Sequence, residues 1–241
     1  MTVCRFAELS VGFEHRYSYF LQLVRDYTVK DSTPSESIRV TDREIAEEKA
    51  HVEDGASRHP ALLEATALWR RFCHRLPSHD AFLLHAACLS VNGRGIAFTA
   101  PSGVGKSTHV SLWRELLGDR CTVVNGDKPI LRRGADGRFW GYGTPLCGKE
   151  GWHANTSVPL SALFFLERGE EDRVTPITAS EAFPALYTAA LAPESQKELS
   201  LLLPLLSGLL SSVSLFRLTC TPRQSAARLA IQAVFTEDLI L

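Results

Sequence analysis

The chain has 241 residues, of which 45% are hydrophobic and 22% are charged, and its formal net charge is −1. These values are typical of a globular protein, and the length suits one α/β domain or a core with a small appendage. Because the sequence has no block of basic residues, its charge does not indicate nucleic-acid binding.

The N-terminal segment, residues 1–76, is predicted to form a small α+β layer packed on the core. Its first ten residues lack the apolar stretch of a secretory signal, so we expect no such signal. Residues 2–6 and 17–24 carry mixed strand and helix signals. For these two segments the sequence alone does not decide between strand and helix.

Two helices are predicted in the second half of this layer. Thr41 and Glu44 have the spacing of a capping box, which predicts a short charged helix that runs to about Val52. Residues 54–57 are predicted to form a loop, and Pro60 then begins an amphipathic helix. The apolar stripe of that helix, which we assign to core packing, consists of Leu62, Ala65, Trp69, Phe72 and Leu76.

A β-hairpin is predicted at the start of the second domain, which spans residues 77–241. An apolar run over residues 81–91 is followed at once by Asn92-Gly93, and both of these turn residues tolerate a positive φ. The next strand, residues 96–99, is therefore predicted to pair antiparallel with the strand before it.

A phosphate-binding loop follows this strand. Residues 100–108 read Ala-Pro-Ser-Gly-Val-Gly-Lys-Ser-Thr, and they depart from the strict pattern only at Ala100, where that pattern has glycine. In such a loop backbone N–H groups cradle nucleotide phosphates, a lysine supplies a charge and a serine hydroxyl binds Mg²⁺. The helix predicted over residues 108–117 would add its N-terminal dipole. The predicted nucleotide-binding residues are Ser102, Gly103, Val104, Gly105, Lys106, Ser107 and Thr108.

An acidic candidate follows the next predicted strand, residues 121–125. A carboxylate at the end of a strand beside a phosphate loop can ligate Mg²⁺ or orient a nucleophile. Asp127 is therefore predicted to be a metal ligand together with Ser107. The sequence Asn-Gly-Asp that ends at Asp127 is also a strong turn former, and the two roles are compatible.

Further candidates lie in a glycine-rich segment, residues 143–155, which has neither helical nor strand periodicity. Loops of this kind often carry function. Lys149 could contact phosphate, Glu150 could ligate a metal and His153 could act on a proton of an acceptor molecule. Each of the three is also open to interpretation as an ordinary polar loop residue.

The rest of the domain is predicted to contain both strands and helices. The predicted strands are residues 160–166, 174–177 and 216–218, and the predicted helices are residues 180–191, 194–210 and 221–235. The last helix would have Thr221 as its N-cap and Pro222 in its first turn. Together with the hairpin, these elements predict an α/β fold with a mixed sheet.

The most apolar segment of the chain is residues 199–216. It contains Pro204 and Gly208 and is shorter than the ~20 residues that a membrane span needs. We interpret it as a buried helix broken near Pro204, or as a docking surface. The six cysteines include no CxxC pair, and several lie in apolar strands, as thiols do in a reducing compartment. We expect a cytoplasmic protein with no membrane partner.

These motifs resemble the catalytic, C-terminal domain of HPr kinase/phosphorylase, whose fold is shared with phosphoenolpyruvate carboxykinase. The matching features are the strand that contains His85, the Asn92-Gly93 turn, the phosphate loop and the strand that leads to Asp127. In particular, the chain resembles compact HPr-kinase-like proteins found near bacterial peptide-modification genes. Those proteins share a later Gly-Thr-Pro and Gly-Lys segment, which is present here in residues 143–149.

The resemblance implies a phosphoenolpyruvate carboxykinase-like P-loop kinase domain over residues 77–241. Such a domain uses ATP and Mg²⁺ to phosphorylate a hydroxyl, often that of a serine. By position, Lys106 matches the phosphate lysine of the family and Ser107 matches its magnesium ligand. His85 matches a histidine near the reaction centre, and Asp127 matches the second of two adjacent aspartates.

The chain departs from the family at the first of those aspartates, which is Gly126 here. Glycine has no side chain that accepts a proton or binds a metal. Either Asp127 takes over the proton-acceptor role, or His85 or His153 does, or phosphoryl transfer is weakened. Lys149 and His153 complete the predicted catalytic set, on the side of the acceptor.

Three functions follow as alternatives. The leading one is a kinase that acts on serine of a peptide or protein, and a kinase of a small-molecule hydroxyl is the second. Gly126 suggests the third, a non-catalytic nucleotide-binding module that regulates a partner. HPr itself is not the expected acceptor, because the chain lacks the large N-terminal domain of true HPr kinases. The oligomeric state stays open, and a homo-oligomer is one option.

Overall fold

The structure is a computed structural model, and it describes residues 1–30, 32–51 and 59–235. The chain divides into two compact units, with the division between Leu76 and Pro77. The loop predicted at residues 54–57 and the predicted helix end at Val52 lie outside the described residues.

The first unit contains a three-stranded sheet in the order β1-β2-β3. Its strands are β1 (Thr2–Phe6), β2 (Leu9–Phe13) and β3 (Glu36–Ile38). Its helices are α1 (Tyr19–Val24), α2 (Asp42–Glu47) and α3 (Pro60–Cys73). The strand β2 pairs antiparallel with β1 and parallel with β3. The two ambiguous segments of the sequence therefore form one strand and one helix.

Aromatic rings fill the core of this unit. The buried rings, with centroids between 4.9 and 6.1 Å apart, are those of Phe6, Phe13, Phe20, Tyr27, Trp69 and Phe72. The predicted stripe on α3 is largely confirmed, although Leu62 is only half-buried. The capping box is also confirmed, since Thr41 and Glu44 each accept from the backbone N–H of the other. The helix that it begins ends early, at Glu47, and continues as a 3₁₀ turn over Glu48–His51.

The second unit is built on a nine-stranded sheet within the described residues. Its strands are β4 (Ala81–Leu83), β5 (Ala86–Val91), β6 (Arg94–Thr99), β7 (Cys121–Asn125), β8 (Ile130–Arg133), β9 (Phe139–Tyr142), β10 (Ser157–Arg168), β11 (Arg173–Pro176) and β12 (Ser214–Cys220). Its helices are α4 (Lys106–Leu117), α5 (Ala179–Ala189), α6 (Gln196–Ser212) and α7 (Gln224–Val234).

The sheet of this unit is mixed. Its main path runs β4-β8-β9-β10-β6-β5-β7, and β12 pairs with both β10 and β11. The strand β10 is parallel to β6 and to β12, whereas the other pairs in this sheet are antiparallel. The prediction of an α/β fold with a mixed sheet is confirmed.

Helices cover both faces of the sheet. Successive residues of β6 point to opposite faces: Ala97 contacts the cluster that contains α5 and α6, and Phe98 contacts the cluster that contains α4 and α7. In the second cluster the Phe98 ring stacks on Phe164 of β10 and meets Trp113 of α4 edge to face, with ring centroids 5.3 Å apart in both pairs. This layered packing holds the carboxyl ends of β6 and β10 side by side.

The predicted hairpin is confirmed. The strands β5 and β6 pair antiparallel, with Val91 opposite Arg94. Asn92 and Gly93 have φ values of 49° and 75°, as the two central residues of a tight hairpin require. The phosphate loop consequently begins at the end of a strand whose position is fixed by a local turn.

The prediction that His85 lies within a strand is wrong, because β4 ends at Leu83 and β5 begins at Ala86. The chain leaves the sheet between β4 and β5, where the His85 N–H donates to Ala189 O at 2.8 Å and the Ala86 N–H donates to Asp127 O at 2.9 Å. The two accepting carbonyls belong to the last residue of α5 and to the segment after β7. The break places His85 next to Asp127, in the segment that follows β7.

The apolar segment at residues 199–216 forms most of α6 and the start of β12. Pro204 lies inside a continuous helix, so the predicted break is wrong. The helix is held by leucines such as Leu202, Leu206 and Leu209, which are buried against the sheet. Within the described part of the chain, no helix has both the length and the apolar character that crossing a membrane requires.

The last helix begins later than predicted. Its N-cap is Arg223 and its first residue is Gln224, so Thr221 is not the cap. Asp172 explains the difference, because its Oδ1 accepts the Thr221 N–H at 2.7 Å and its other oxygen accepts the Ser225 hydroxyl. A side chain 49 positions earlier in the chain thus holds this turn and satisfies its backbone.

Candidate functional site

The loop between β6 and α4 is open to an anion. Gly103 and Gly105 have φ values of 79° and 126°, in the region that favours glycine. A Cβ atom added at either position would meet no heavy atom within 4 Å, so the space beside both glycines is free within the described residues. The loop leads directly into the N-terminus of α4, where unpaired backbone N–H groups favour phosphate.

Lys106 lies across this loop. Its side chain is buried, and Nζ donates to Ala100 O at 2.9 Å, so the ammonium group bridges the two ends of the loop. Burial lowers the pKa of Lys106, and the negative charge of Asp127 opposes that shift. The predicted nucleotide-binding residues therefore form one loop and one helical turn, with the lysine directed inward and Ser102, Gly103 and Thr108 exposed.

Asp127 and His85 form a pair beside the loop. The distance between His85 Nε2 and Asp127 Oδ1 is 3.3 Å, and Lys128 Nζ is 4.0 Å from Asp127 Oδ2. The hydrogen bond with His85 is the main cause that lowers the pKa of Asp127, and the charges of Lys128 and Lys106 add to it. The carboxylate is thus ionised at neutral pH and is able to bind a cation.

Asn125 holds this part of the site in place, and the sequence analysis did not assign it a role. The residue is fully buried, and its Oδ1 accepts the backbone N–H groups of Asp127 and Lys128 at 2.9 and 2.6 Å. Its Nδ2 donates to the carbonyl and the hydroxyl oxygens of Thr144. One amide therefore fixes both the turn that carries Asp127 and the start of the glycine-rich segment.

The glycine-rich segment packs against Gly126. The Gly126 N–H donates to Trp152 O at 2.8 Å, and His153 forms a β-bridge with Asn125. A Cβ atom on Gly126 would lie 3.1 Å from Cys147 O and 3.3 Å from Trp152 O. Carbonyl groups thus crowd the position that a side chain on residue 126 would occupy.

The other two candidates of this segment are Glu150 and Lys149. A Cβ atom added to Gly148 would be 3.2 Å from Asp127 Cβ and 3.4 Å from Glu150 Oε2, so Glu150 lies near Asp127. Lys149 is exposed on the same turn. Among the described residues, no hydrogen bond or ion pair joins Lys149 to His85 or Asp127.

Arg168 contacts the phosphate loop directly, which the sequence analysis did not predict. Its guanidinium donates to Val104 O at 3.2 Å and also to Gly103 O. The residue ends β10, which is parallel to β6, so the carboxyl ends of both strands meet at one edge of the sheet. The available signal was an arginine at the end of an apolar strand. The sequence alone does not show that this strand pairs with β6, so the contact with the loop could not be predicted.

His109 is a second residue that the sequence analysis did not assign. The ring is 2% exposed, and its Nε2 accepts the Trp113 indole N–H at 3.0 Å. Because an indole N–H can only donate, the neutral ring must carry its own proton on Nδ1. Nδ1 has no partner among the described residues. Burial lowers the pKa of His109 to about 4, so the ring is neutral at neutral pH.

The His109 ring lines a cavity of about 290 Å³ at the helix end of the phosphate loop. Gly105, Thr108 and Arg168 also line this cavity, and Leu112 and Pro222 supply apolar surface. We refer to this space as the helix-side cavity. Its volume is near the lower limit of cavities that hold small organic ligands.

The donor set at the site suits a magnesium ion only in combination with phosphate. Within the described ranges, no group of three or more His, Cys, Asp or Glu side chains is arranged to hold a metal ion by itself. Mg²⁺ commonly takes one or two carboxylates, with waters and substrate phosphates as its other ligands. Asp127 and the Ser107 hydroxyl fit that partial role.

Two comparisons with known proteins give little direct guidance. The search of curated proteins found no match. Among solved structures, the Hpr(Ser) kinase/phosphatase from Coxiella burnetii matches with 12% sequence identity and a TM-score of 0.34. That match covers 63% of this chain and 95% of the other, and it is a distant similarity.

The comparison with family models is more specific. Residues 51–201 match the model described as "SynChlorMet cassette protein ScmC". This range includes the hairpin, the phosphate loop, the His85–Asp127 pair, the glycine-rich segment and Arg168. Because the match extends over more than half of the sequence, the chain belongs to the ScmC family of SynChlorMet cassette proteins.

Proposed function

We propose that this protein is an ATP- and Mg²⁺-dependent kinase of the phosphoenolpyruvate carboxykinase-like P-loop type, which transfers the γ-phosphate to a hydroxyl. The observation that carries the proposal is the His85–Asp127 pair, 3.3 Å apart, beside a phosphate loop with an inward-directed Lys106. A serine of a peptide or protein is the leading acceptor, and a small-molecule hydroxyl is the alternative.

The nucleotide would bind along the loop and the first turn of α4. Backbone N–H groups of this segment and Lys106 would contact the phosphates, and Thr108 lies at the entrance to the helix-side cavity. That cavity would receive the nucleoside. Two of its lining residues, His109 and Thr221, carry a buried polar atom without a partner among the described residues, and the Nδ1–H of His109 suits an acceptor nitrogen of a base such as purine N7.

Asp127 and Ser107 would hold the magnesium ion together with the phosphates. The ion would supply positive charge that stabilises the phosphates as the transferred group leaves. The lowered pKa of Asp127 favours this role, because the carboxylate is ionised at neutral pH. The same shift makes Asp127 a weak base, so it disfavours Asp127 as the group that takes the acceptor proton.

His85 is therefore the best candidate for the proton acceptor. Asp127 would orient its ring through Nε2 and stabilise the positive charge that the ring gains, as a carboxylate does for histidine in other enzymes. As the acceptor oxygen bonds to the γ-phosphorus, the bond to the β–γ bridging oxygen breaks. The hydroxyl proton passes to His85, and the electron pair of the broken bond leaves with ADP.

A non-catalytic nucleotide-binding module is the second candidate function, and Gly126 favours it. Two carbonyl oxygens lie within 3.3 Å of the point where a Cβ atom on Gly126 would stand. The chain has thus packed backbone into the space that an aspartate would need. Phosphoryl transfer depends mainly on positioning and electrostatics, so the loss of this carboxylate lowers the rate without necessarily abolishing it.

The test is phosphate transfer from γ-labelled ATP with Mg²⁺ to serine-containing peptides and to small polyols. Wild type and Lys106→Ala are compared. Label that appears on an acceptor only with wild type supports a kinase and begins to define its substrate. Nucleotide binding without transfer and without hydrolysis supports the regulatory module instead.

The variant Gly126→Asp separates the two functions further. It would have to displace the carbonyls of Cys147 or Trp152 by a few tenths of an ångström, so its folding is checked first by thermal unfolding. A sharp increase in turnover would show that a missing carboxylate limits a functioning kinase. A folded variant that remains inert would favour the module.

A further inference from the structure

A second cavity lies at the strand end of the phosphate loop. It has a volume of about 410 Å³ and shares no lining residue with the helix-side cavity. Ala100 and Pro101, the first residues of the loop, line it, and so does His85. We refer to it as the strand-side cavity. It therefore adjoins both the loop that would hold the phosphates and the residue that would accept the proton.

The walls of the strand-side cavity are largely apolar. Phe165 and Leu166 of β10 line one side, and Pro184, Ala185 and Ala189 of α5 line the other. No lysine or arginine is among the lining residues, which are all described in the structure. A charged acceptor, such as a phosphorylated or carboxylated metabolite, would lose its hydration here without gaining a partner of opposite charge.

The two hydroxyl groups on these walls are already engaged. Thr99 Oγ1 donates to His85 O, and Thr188 Oγ1 donates to Pro184 O, both at 2.9 Å. Each hydroxyl can still offer lone pairs but not its proton. A polyol would therefore find few donors on these walls. The His85 ring is the main polar group, and it stands at the end of the cavity that adjoins the loop.

From this juxtaposition we propose that the strand-side cavity is the acceptor site and selects a hydroxyl carried by an apolar group about the size of one hydrophobic side chain. The inference rests on the proposed kinase function and narrows its substrate class. It favours a serine or threonine with an apolar neighbour in a peptide, or a free alcohol with an apolar body. It disfavours sugars, polyols and acceptors with charged neighbours.

The shape of the opening fits such an acceptor. Ala185 and Thr188 are exposed, so the cavity opens to solvent along α5. Phe165 and Leu166 are 9% and 5% exposed and form its inner wall. An apolar group that enters from the α5 side removes its own surface from water, and its hydroxyl can then reach His85. Burial of one hydrophobic side chain corresponds to about tenfold or more in affinity.

The experiment uses two matched pairs of hydroxyl compounds with the full chain. The peptide pair is acetyl-Leu-Ser-Phe-amide and acetyl-Glu-Ser-Glu-amide, and the small-molecule pair is 3-phenylpropan-1-ol and glycerol. Binding is measured without nucleotide by saturation-transfer NMR, and phosphorylation is measured with Mg²⁺ and γ-labelled ATP. We expect the apolar member of at least one pair to bind and to react with a kcat/KM about tenfold or more above its partner.

Two variants of α5 locate the site. Ala185→Trp fills the strand-side cavity from its exposed rim, whereas Ala179→Trp places the same side chain at an exposed position of the same helix that does not line it. Binding and transfer of the apolar acceptor should fall about tenfold or more in Ala185→Trp and stay unchanged in Ala179→Trp. Nucleotide affinity should be the same in both variants.

The outcomes separate this inference from the proposed function. Binding of the apolar compounds that Ala185→Trp blocks, without any transfer of label, supports the cavity assignment and refutes the kinase. Phosphorylation of the glutamate peptide or glycerol in preference to the apolar compounds supports the kinase and overturns the cavity assignment. Equal effects of the two tryptophan variants, or no binding of any apolar compound, also overturn it.

Discussion

Three groups near Asp127 lower the pKa of its carboxyl. His85 bonds to it at 3.3 Å, Lys128 lies 4.0 Å away, and Lys106 acts on it through its charge. Only His85 both contacts the carboxylate and lines the strand-side cavity. The pair therefore forms one unit, in which the carboxylate would serve the phosphates and the imidazole would serve the acceptor of the proposed reaction.

A double-mutant cycle tests this unit. His85→Gln and Asp127→Asn should each lower kcat about a hundredfold or more, because the first removes the proposed proton acceptor and the second removes the carboxylate that orients it. Because Asp127 would also hold the magnesium ion, the double variant should be little worse than Asp127→Asn alone, as for other residues that act together. Independent effects that multiply in the double variant would contradict the pairing. Nucleotide affinity measured on His85→Gln serves as the control, since among the described residues no hydrogen bond or ion pair joins the His85 side chain to the phosphate loop.

His109 gives a prediction about acid stability. Its pKa is about 4 in the folded protein because of burial, against about 6.5 for an unfolded chain. Between these values the unfolded chain binds one more proton, so the free energy of unfolding decreases as the pH is lowered through 6.5 and stops decreasing below 4. The contribution lost is about 3 kcal/mol.

The variant His109→Gln isolates that contribution. Its amide oxygen can still accept the Trp113 N–H, but the side chain does not titrate. Urea unfolding at pH values from 7 to 4.5 should show a shallower loss of stability for the variant than for wild type. Parallel pH profiles of the two proteins would show that the wild-type histidine is able to become protonated in the folded state.

At the scale of elements, the hairpin and the phosphate loop could be predicted because their signals are local. Asn92 and Gly93 specify a turn by themselves, and the loop is recognised from consecutive residues. The break at His85 could not be predicted, because its backbone partner is Ala189, far along the chain. The wrong cap at Thr221 has the same cause, a distant side chain that outweighs a local preference.

The missed site residues also depend on pairing between distant elements. Arg168 reaches the loop because β10 lies parallel to β6, and His109 matters because α4 packs its ring against Phe98 and Trp113. Lys149 illustrates the opposite case. Its motif drew attention to it, and the structure leaves it exposed and unconnected to the His85–Asp127 pair among the described residues. Its proposed contact with phosphate remains a prediction.

Arg168 supplies the prediction at this scale. Arg168→Gln removes the hydrogen bonds that hold Gly103 O and Val104 O, so the empty loop should be less ordered before a nucleotide binds. Affinity for Mg-ADP, measured by calorimetry, should fall about fivefold to tenfold. Arg217→Gln is the matched control, because Arg217 lies on the neighbouring β12 and pairs with Glu167 instead. An equal loss in both variants would contradict a specific role for Arg168.

At the scale of the whole second unit, the phosphate loop separates two cavities with different linings. The helix-side cavity has an arginine, a buried histidine and the first turn of α4 on its walls, whereas the strand-side cavity is largely apolar. This difference is expected of a kinase whose charged phosphate donor and apolar acceptor would bind at the two ends of one loop. The carboxyl ends of β6 and β10 lie between the two cavities and connect them.

Ligand-linked stabilisation tests whether this arrangement works as one site. A ligand that binds only the folded protein stabilises it by about 2.7 kcal/mol at a hundred times its Kd. Mg-ATP should therefore raise the midpoint of thermal unfolding, and hydrogen exchange should slow most in the loop after β6 and in the turn that contains Asp127. Lys106→Ala should abolish both effects, because the ammonium group that bridges the loop is lost. An equal shift in that variant, or protection confined to segments away from this loop, would show that the nucleotide binds elsewhere.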